Sequence, residues 1–269
     1  GIRDADRSRG LGDVYKRQRT IRPAETVVMV CAGVFMSAFK GGIYIPLLLL
    51  LFMIPKRNFG EKVKYPVVVA SAILLAVVTF AAVNSNIFKD VSSSTSGSEN
   101  ELMWTESEGF TLRRMFTHPK EALCMLFNTF FLMGGTHYAE MFASGFGWLQ
   151  IYTSGFLTAG FTVLMVLTLL NCEGREICFN KKQRIISLSA AAVSIFIIVI
   201  SMWIFWTPAG SSHIVGLQGR YFIPLLFCAV YPLKNSRCII KKDIGGGIIF
   251  AAVMFHALTF WEIYIRMAV

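Results

Sequence analysis

Ile185–Trp206 is an unbroken apolar run without a single charge. At about 1.5 Å per residue it reaches about 33 Å as a helix. The hydrocarbon core of a bilayer is about 30 Å thick. Pro66–Val83, Tyr152–Leu170 and Ile244–Tyr264 are of the same kind, the last broken only by His256 and Glu262. A chain of 269 residues, 55% hydrophobic and 16% charged, has too little interior to hide so many apolar side chains. The same composition excludes intrinsic disorder, a collagen-like fibre and a disulfide-stapled scaffold. The expected fold class is all-α, a polytopic transmembrane helical bundle.

Shorter apolar stretches add to this. Glu25–Phe39 and Ile43–Ile54 flank Lys40-Gly41-Gly42. One continuous helix would strand a lysine at mid-membrane, which is costly. A short hairpin instead puts Lys40 at the turn, where it reaches the headgroups. Tyr221–Leu233 carries Pro224 and Pro232. Ala122–Met133 is too short to span, and suits an interfacial or re-entrant helix within 119–143. The total is about seven crossings plus that outer element.

The net charge of +10 sets orientation. Lys56, Arg57, Lys62 and Lys64 form one short basic group. Arg175, Lys181, Lys182 and Arg184 form a second, and Lys234, Arg237, Lys241 and Lys242 a third. Twelve of the 26 basic residues thus lie in three short loops, and such loops face the cytoplasm. The loops 55–65, 171–184 and 234–243 are therefore expected inside, and 84–118 and 207–220 outside. Val91–Glu101, rich in serine, reads as a mobile part of the first outer loop. With those sides fixed, 119–143 lies on or dips into the outer leaflet. Trp104, Trp148, Trp203, Trp206 and Trp261 all fall on the outer side or at outer helix ends, where interfacial tryptophan is at home. The charge is a topology signal, and no nucleic-acid partner is expected; the bilayer is the partner.

Residues 1–18, GIRDADRSRGLGDVYKRQ, are polar and lack the apolar core of a signal peptide. They resemble translated sequencing-adapter read-through, so the natural chain is expected to begin upstream of Arg19. A cytoplasmic tail is the other reading. Residues 19–269 then form the C-terminal part of one integral membrane domain. The six cysteines form no C-x-x-C pair and read as reduced thiols.

Motifs for nucleotides, metalloproteases and serine hydrolases are absent: there is no Walker loop, no GxGxxG with its acid, no HExxH and no GxSxG. His118, His137, His213 and His256 do not pair at metal-ligand spacing. No metal site and no cofactor is expected, with a divalent cation left open. The unusual stretch is Trp206–Gly210 followed by Ile214–Pro224, where an outer Gly-rich loop runs into a helix. Arg220 offers a planar fork of donors suited to phosphate. Gln218 adds amide donors, and the glycines allow backbone N–H groups to approach a ligand. Tyr221 suits stacking on a sugar or anchoring at the interface. The functional reading is an anionic lipid-carrier site; the bland one is an arginine reaching headgroups beside a turn.

Glu140, close to His137 in sequence and just ahead of Gly145–Leu149, has two readings. It is a general base or cation ligand, or one face of a solvated interfacial helix, which is favoured. Arg113, Arg114 and His118 read as a surface charge run. Glu262 and Arg266 are spaced to pair on one helix. His256 reads as a satisfied interhelical group.

The GLQGRYFIPLL run at Gly216–Leu226, preceded by WTPAG at Trp206–Gly210, resembles a bacterial family of predicted polytopic membrane proteins. That is the domain of unknown function family 2142. GFGWL at Gly145–Leu149 and AFKGGIYIPLLLL at Ala38–Leu50 resemble further parts of its pattern, so the likeness runs from Thr26 to about Leu233. Gln150 stands where that pattern carries an acid.

The resemblance implies a role in cell-surface polysaccharide assembly at the bacterial inner (plasma) membrane. It implies similarity to membrane glycosyltransferases that take sugar from a polyprenyl-phosphate carrier and pass it to a glycan acceptor. Arg220, Gln218 and Tyr221 carry over as motif positions, with Trp206 framing the sugar or prenyl chain; Glu140, His137 and Lys40 are weaker candidates. The catalytic carboxylate of such enzymes lies in a first outer loop that would precede Arg19, so a piece without it is expected to be inactive. The alternative is a non-catalytic flippase, export or scaffold component.

Overall fold

The computed structural model describes residues 21–38, 42–54, 58–59, 64–83, 109–171, 179–234, 238–240 and 242–268. The expectations for residues 1–18, Lys40, Val91–Glu101, Trp104, Cys172 and Cys178 lie outside these. Among the described residues the chain is helical, with isolated β-bridges and no strand. It divides into two compact units, one of 1–85 with 179–190 and the other of 86–178 with 191–269.

In the first unit, α1 is Pro23–Ala38. Its start follows local rules: Pro23 sits in the first turn, and Glu25 Oε2 reaches back to accept from Arg22 N at 2.9 Å. α1 packs along α2, Tyr65–Val83, whose contact side is small: Ala72 and Ala76 are fully buried. Small side chains let helix backbones approach where lipid supplies no hydrophobic drive.

The expected second arm of the hairpin is not an α-helix. Ile45–Met53 is a 3-10 helix with Pro46 in its first turn. Its i→i+3 bonding gains about 2.0 Å per residue, so nine residues cover about 18 Å. Gly33 of α1 takes the Leu48 side chain directly, with no room for a Cβ.

α8, Lys181–Trp206, starts four residues before the expected apolar run. Asn180 and Gln183 explain this. Gln183 N donates to Asn180 Oδ1 at 2.9 Å, and Asn180 N donates to Gln183 Oε1 at 3.1 Å. This reciprocal capping box draws Lys181, Lys182 and Arg184 out of the expected loop and into the helix.

The second unit contains α3 (Leu112–Thr117), α4 (Pro119–Phe127), a π-helical turn (Asn128–Leu132), α5 (Gly134–Phe142) and α6 (Phe146–Leu149). The expected helix in 119–143 is therefore broken, and α3 occupies part of the expected outer loop. α7 is Gly155–Leu170, shorter than its expected span because the backbone is extended at Ser154, just before it. Tyr221–Leu233 is a composite: 3-10 at Gly219–Phe222, then α9 (Ile223–Val230), then 3-10 at Tyr231–Leu233. Its prolines sit where these pieces begin. α10, Gly245–Ala268, runs beyond Glu262 and Arg266, which pair at 2.8 Å as expected.

α7 and α10 pack together, and both ends of that contact are fastened. At one end Glu262 accepts from Ser154 N at 2.8 Å and from Ser154 Oγ at 2.9 Å, capping α7 from another helix. At the other, Asn171 Oδ1 accepts from Ile244 N at 3.2 Å, and Asp243 Oδ1 accepts from Gly245 N at 2.9 Å. Between them Gly160 lies against the Phe255 ring, where a Cβ would overlap it. His256 sets its ring edge-on to Phe161 at 4.9 Å, and its Nδ1 lies 2.7 Å from Ala252 O on its own helix. Cys31, Cys124 and Cys238 are free, exposed thiols, and Cys228 is buried.

Among the described residues three helices, α2, α8 and α10, are long and apolar enough to cross a membrane. α1, α7 and the Gly219–Leu233 composite are apolar but shorter. Because Glu262 caps α7 through two hydrogen bonds, Glu262→Ala is expected to cost about 1–3 kcal/mol. Arg266→Ala, which removes only an exposed ion pair, is expected to cost below about 1 kcal/mol. Thermal unfolding of the detergent-solubilised variants measures the difference.

Candidate functional site

Two stretches that are far apart in sequence meet in the second unit. α5 places His137 and Glu140 three residues apart, hence on one face. The 3-10 turn Gly219–Phe222 packs onto that face. Gly219 makes the approach possible: a Cβ there would overlap the His137 carbonyl. Its N–H donates to Glu140 Oε2 at 2.6 Å across 79 residues of sequence. His137 Nδ1 lies 3.5 Å from the same oxygen. The Glu140 side chain is 5% exposed.

The expected solvated face is thus a buried one, and Glu140 is an anchor. Burial by itself would raise its carboxyl. The hydrogen bonds from His137 and the Gly219 N–H, with the charges of His137 and Arg220, outweigh it and hold the carboxyl below its ordinary value.

Gly145–Ile151 closes over the same face. Gly145 is left-handed at φ 70°, and a Cβ there would press on Glu140 Cγ. Phe146 N donates to Ile151 O at 3.0 Å, and Ile151 N returns the bond to Phe146 O at 3.3 Å. The turn needs positive φ again at Gly147 and at Leu149, a position that costs a branched side chain energy. It presents the Gly147 carbonyl, which accepts from Arg220 Nη1 at 3.4 Å.

Arg220 remains exposed. Its charge acts on the neighbouring Tyr221 hydroxyl. Gln218 begins the 3-10 turn, and its carbonyl accepts from Tyr221 N at 3.1 Å. Its side-chain Oε1 is buried and has no hydrogen-bond partner among the described residues. The structure therefore brings together Gln218, Arg220, Tyr221, Glu140 and His137. Trp206 sits against Gly216, which is left-handed at φ 79° and leaves room for the indole. Gln150 is exposed at the end of α6. The carboxylate of this region is Glu140, ten positions before Gln150.

The loop feeding Arg220 is held by side chains that sequence reasoning did not single out. Thr129, buried in the π-helical turn, accepts from Ile214 N at 2.9 Å. Asn128 Nδ2 donates to Ser212 O at 2.8 Å. Thr207, fully buried, accepts from Val215 N at 3.1 Å, and its carbonyl accepts from Phe110 N at 3.0 Å. The signals were present as buried hydroxyls flanking an apolar run, but threonine is too common there to point at one partner. Among the described residues no cluster of three or more His, Cys, Asp or Glu converges as a metal site.

The family model described as predicted membrane protein (DUF2142) matches residues 13–229. The chain belongs to this family. The match spans both halves of the cluster, from Glu140 and the Gly145–Leu149 turn to Arg220. No curated protein and no solved structure matches.

Replacing Glu140 by Ala leaves the buried Gly219 N–H unpaired and is expected to cost about 1–3 kcal/mol. The folded carboxyl titrates below its unfolded value. Its contribution is therefore complete above the unfolded value and lost as pH falls through the folded one. Glu140→Gln is expected to be less stable than wild type at neutral pH. The gap should narrow on acidification, read from unfolding midpoints across a pH series.

Proposed function

We propose that this membrane protein binds the phosphate of a lipid-linked sugar at Arg220 and serves glycosyl transfer in cell-surface polysaccharide assembly. The observation that carries the reading is the mounting of Arg220. The side chain is exposed, yet its backbone follows a glycine clamped onto a buried carboxylate, and its guanidinium is steered by a backbone carbonyl. A cation fixed in this way recognises an anion without first losing the freedom of a long side chain. Guanidinium suits a phosphate because it offers parallel donors to two oxygens. Tyr221 lies beside it for a sugar face, and Trp206 closes the far end of the loop.

Glu140 serves as the anchor in this reading and not as a base. A carboxylate 5% exposed and committed to Gly219 has no path to an incoming hydroxyl. The acid–base group of the transfer belongs elsewhere in the protein.

The same proposal takes the chain across the bacterial inner membrane about seven times. Loops 55–65, 171–184 and 234–243 then face the cytoplasm, and 84–118 and 207–220 face outward. The three basic groups support that orientation, and the three shorter apolar helices, α1, α7 and the Gly219–Leu233 composite, raise the supported crossings from three to six.

Binding of a short-chain polyprenyl phosphate to the purified protein in detergent tests the reading. Arg220→Ala is expected to weaken binding at least about tenfold, matching loss of a charge-assisted hydrogen bond. Arg220→Lys is expected to fall between, because it keeps the charge and loses the fork. Both should melt like wild type. Equal binding by Arg220→Ala would remove the assignment.

A further inference from the structure

A second surface of the same unit lies apart from the Arg220 cluster in its chemistry. α4 and the π-helical turn bury one edge, Ala122, Met125 and Thr129, against the rest of the unit. The opposite edge is apolar and open. Leu123 is 67% exposed, Phe131 73% and Leu132 70%, with Phe127 and Phe130 beside them. The wider π-helical turn brings Phe127 and Phe131 into a stack at 4.5 Å. Leu123, Phe127, Phe130 and Phe131, with Cys124, Leu126 and Asn128, line an open groove.

Charge gathers at one end of this edge. Arg113, His118 and Lys120 are exposed there. Arg114 is engaged by Glu121 at 3.2 Å, so the acid of this end is spoken for. An apolar face crowned by exposed cations fits a leaflet carrying negative headgroups, with rings below and cations at the phosphates. A protein partner would more often meet a groove with dispersed polar groups at its rim. Depth also fits: Pro119–Leu132 is too short to cross, and its buried edge is tied to the 207–217 loop through Asn128 and Thr129.

We infer that residues 112–132 form an interfacial element that docks on anionic phospholipid, the phenylalanines entering the leaflet and Arg113 and Lys120 meeting the headgroups. This stands independently of the carrier-phosphate reading at Arg220.

Cys124 is a native probe, free and exposed on this face. The full chain is placed in nanodiscs of phosphatidylcholine, with or without phosphatidylglycerol. It is alkylated with a charged, water-soluble maleimide, and each cysteine is followed by mass spectrometry. Cys238, exposed and outside the element, is the internal standard. With phosphatidylglycerol present, Cys124 is expected to react much more slowly than Cys238, and its protection should weaken when that lipid is left out. Arg113→Gln and Lys120→Gln are each expected to reduce the protection about fivefold, the factor equivalent to one basic residue at an anionic surface.

Rapid reaction of Cys124 in both lipids would overturn the inference and leave the face to a protein partner. Protection that ignores both the lipid charge and the two substitutions would overturn it as well. The lipid comparison on the unaltered chain needs no variant to fold. Polyprenyl phosphate binding at Arg220 should be unchanged in both variants, which separates failure here from failure there.

Discussion

The contact between Glu140 and the Gly219 N–H is the joint on which the geometry of the second unit depends. It links α5 to the turn that carries Arg220. It also fixes which way α5 faces, because the His137–Glu140 side carries the acceptor that the turn uses. A backbone N–H buried in this position has no water to fall back on, so the acceptor is obligatory. The carboxylate in turn gains its place from the N–H, the neighbouring imidazole and the guanidinium beyond. Each partner makes the other tolerable in a region where either alone would be costly.

Glycine completes the joint by subtraction. At Gly219 no side chain separates the turn from α5, and at Gly145 the left-handed backbone folds the next segment down over Glu140. The Gly145–Leu149 turn then returns a carbonyl to Arg220. Two motifs that look independent along the chain, GFGWL and QGRY, are therefore two sides of one arrangement. The family match covers both, and the geometry gives the physical reason they belong together.

The long spans were legible in the sequence because an uncharged run of sufficient length has one inexpensive home. α2, α8 and α10 follow directly. The boundaries were less so. Asn180 and Gln183 advertise a capping box, yet they sit among lysines that read as a loop, so the start of α8 is visible only once the box is recognised. Ile45–Met53 reads as helical by its leucines, but composition does not separate 3-10 from α, because both bury the same side chains. Arg220 was singled out by its chemistry. The burial of Glu140 was not, because three-residue spacing to His137 fits a wet face as well as a dry one. Only the fold supplies the second element that dries it.

Five of the links among the described residues take one form. A side-chain oxygen from one segment accepts from a backbone N–H at the start of another: Glu140 from Gly219, Thr129 from Ile214, Thr207 from Val215, Glu262 from Ser154 and Asn171 from Ile244. The first turn of a helix, and any loop leading into one, leaves N–H groups that the helix itself does not satisfy. In water these cost little. Beside a bilayer they must be met from within the protein. A chain with few charged residues therefore places its scarce acceptors at the breaks between apolar elements. The same placement ties neighbouring elements together at those breaks, and the turn that carries Arg220 is one of them.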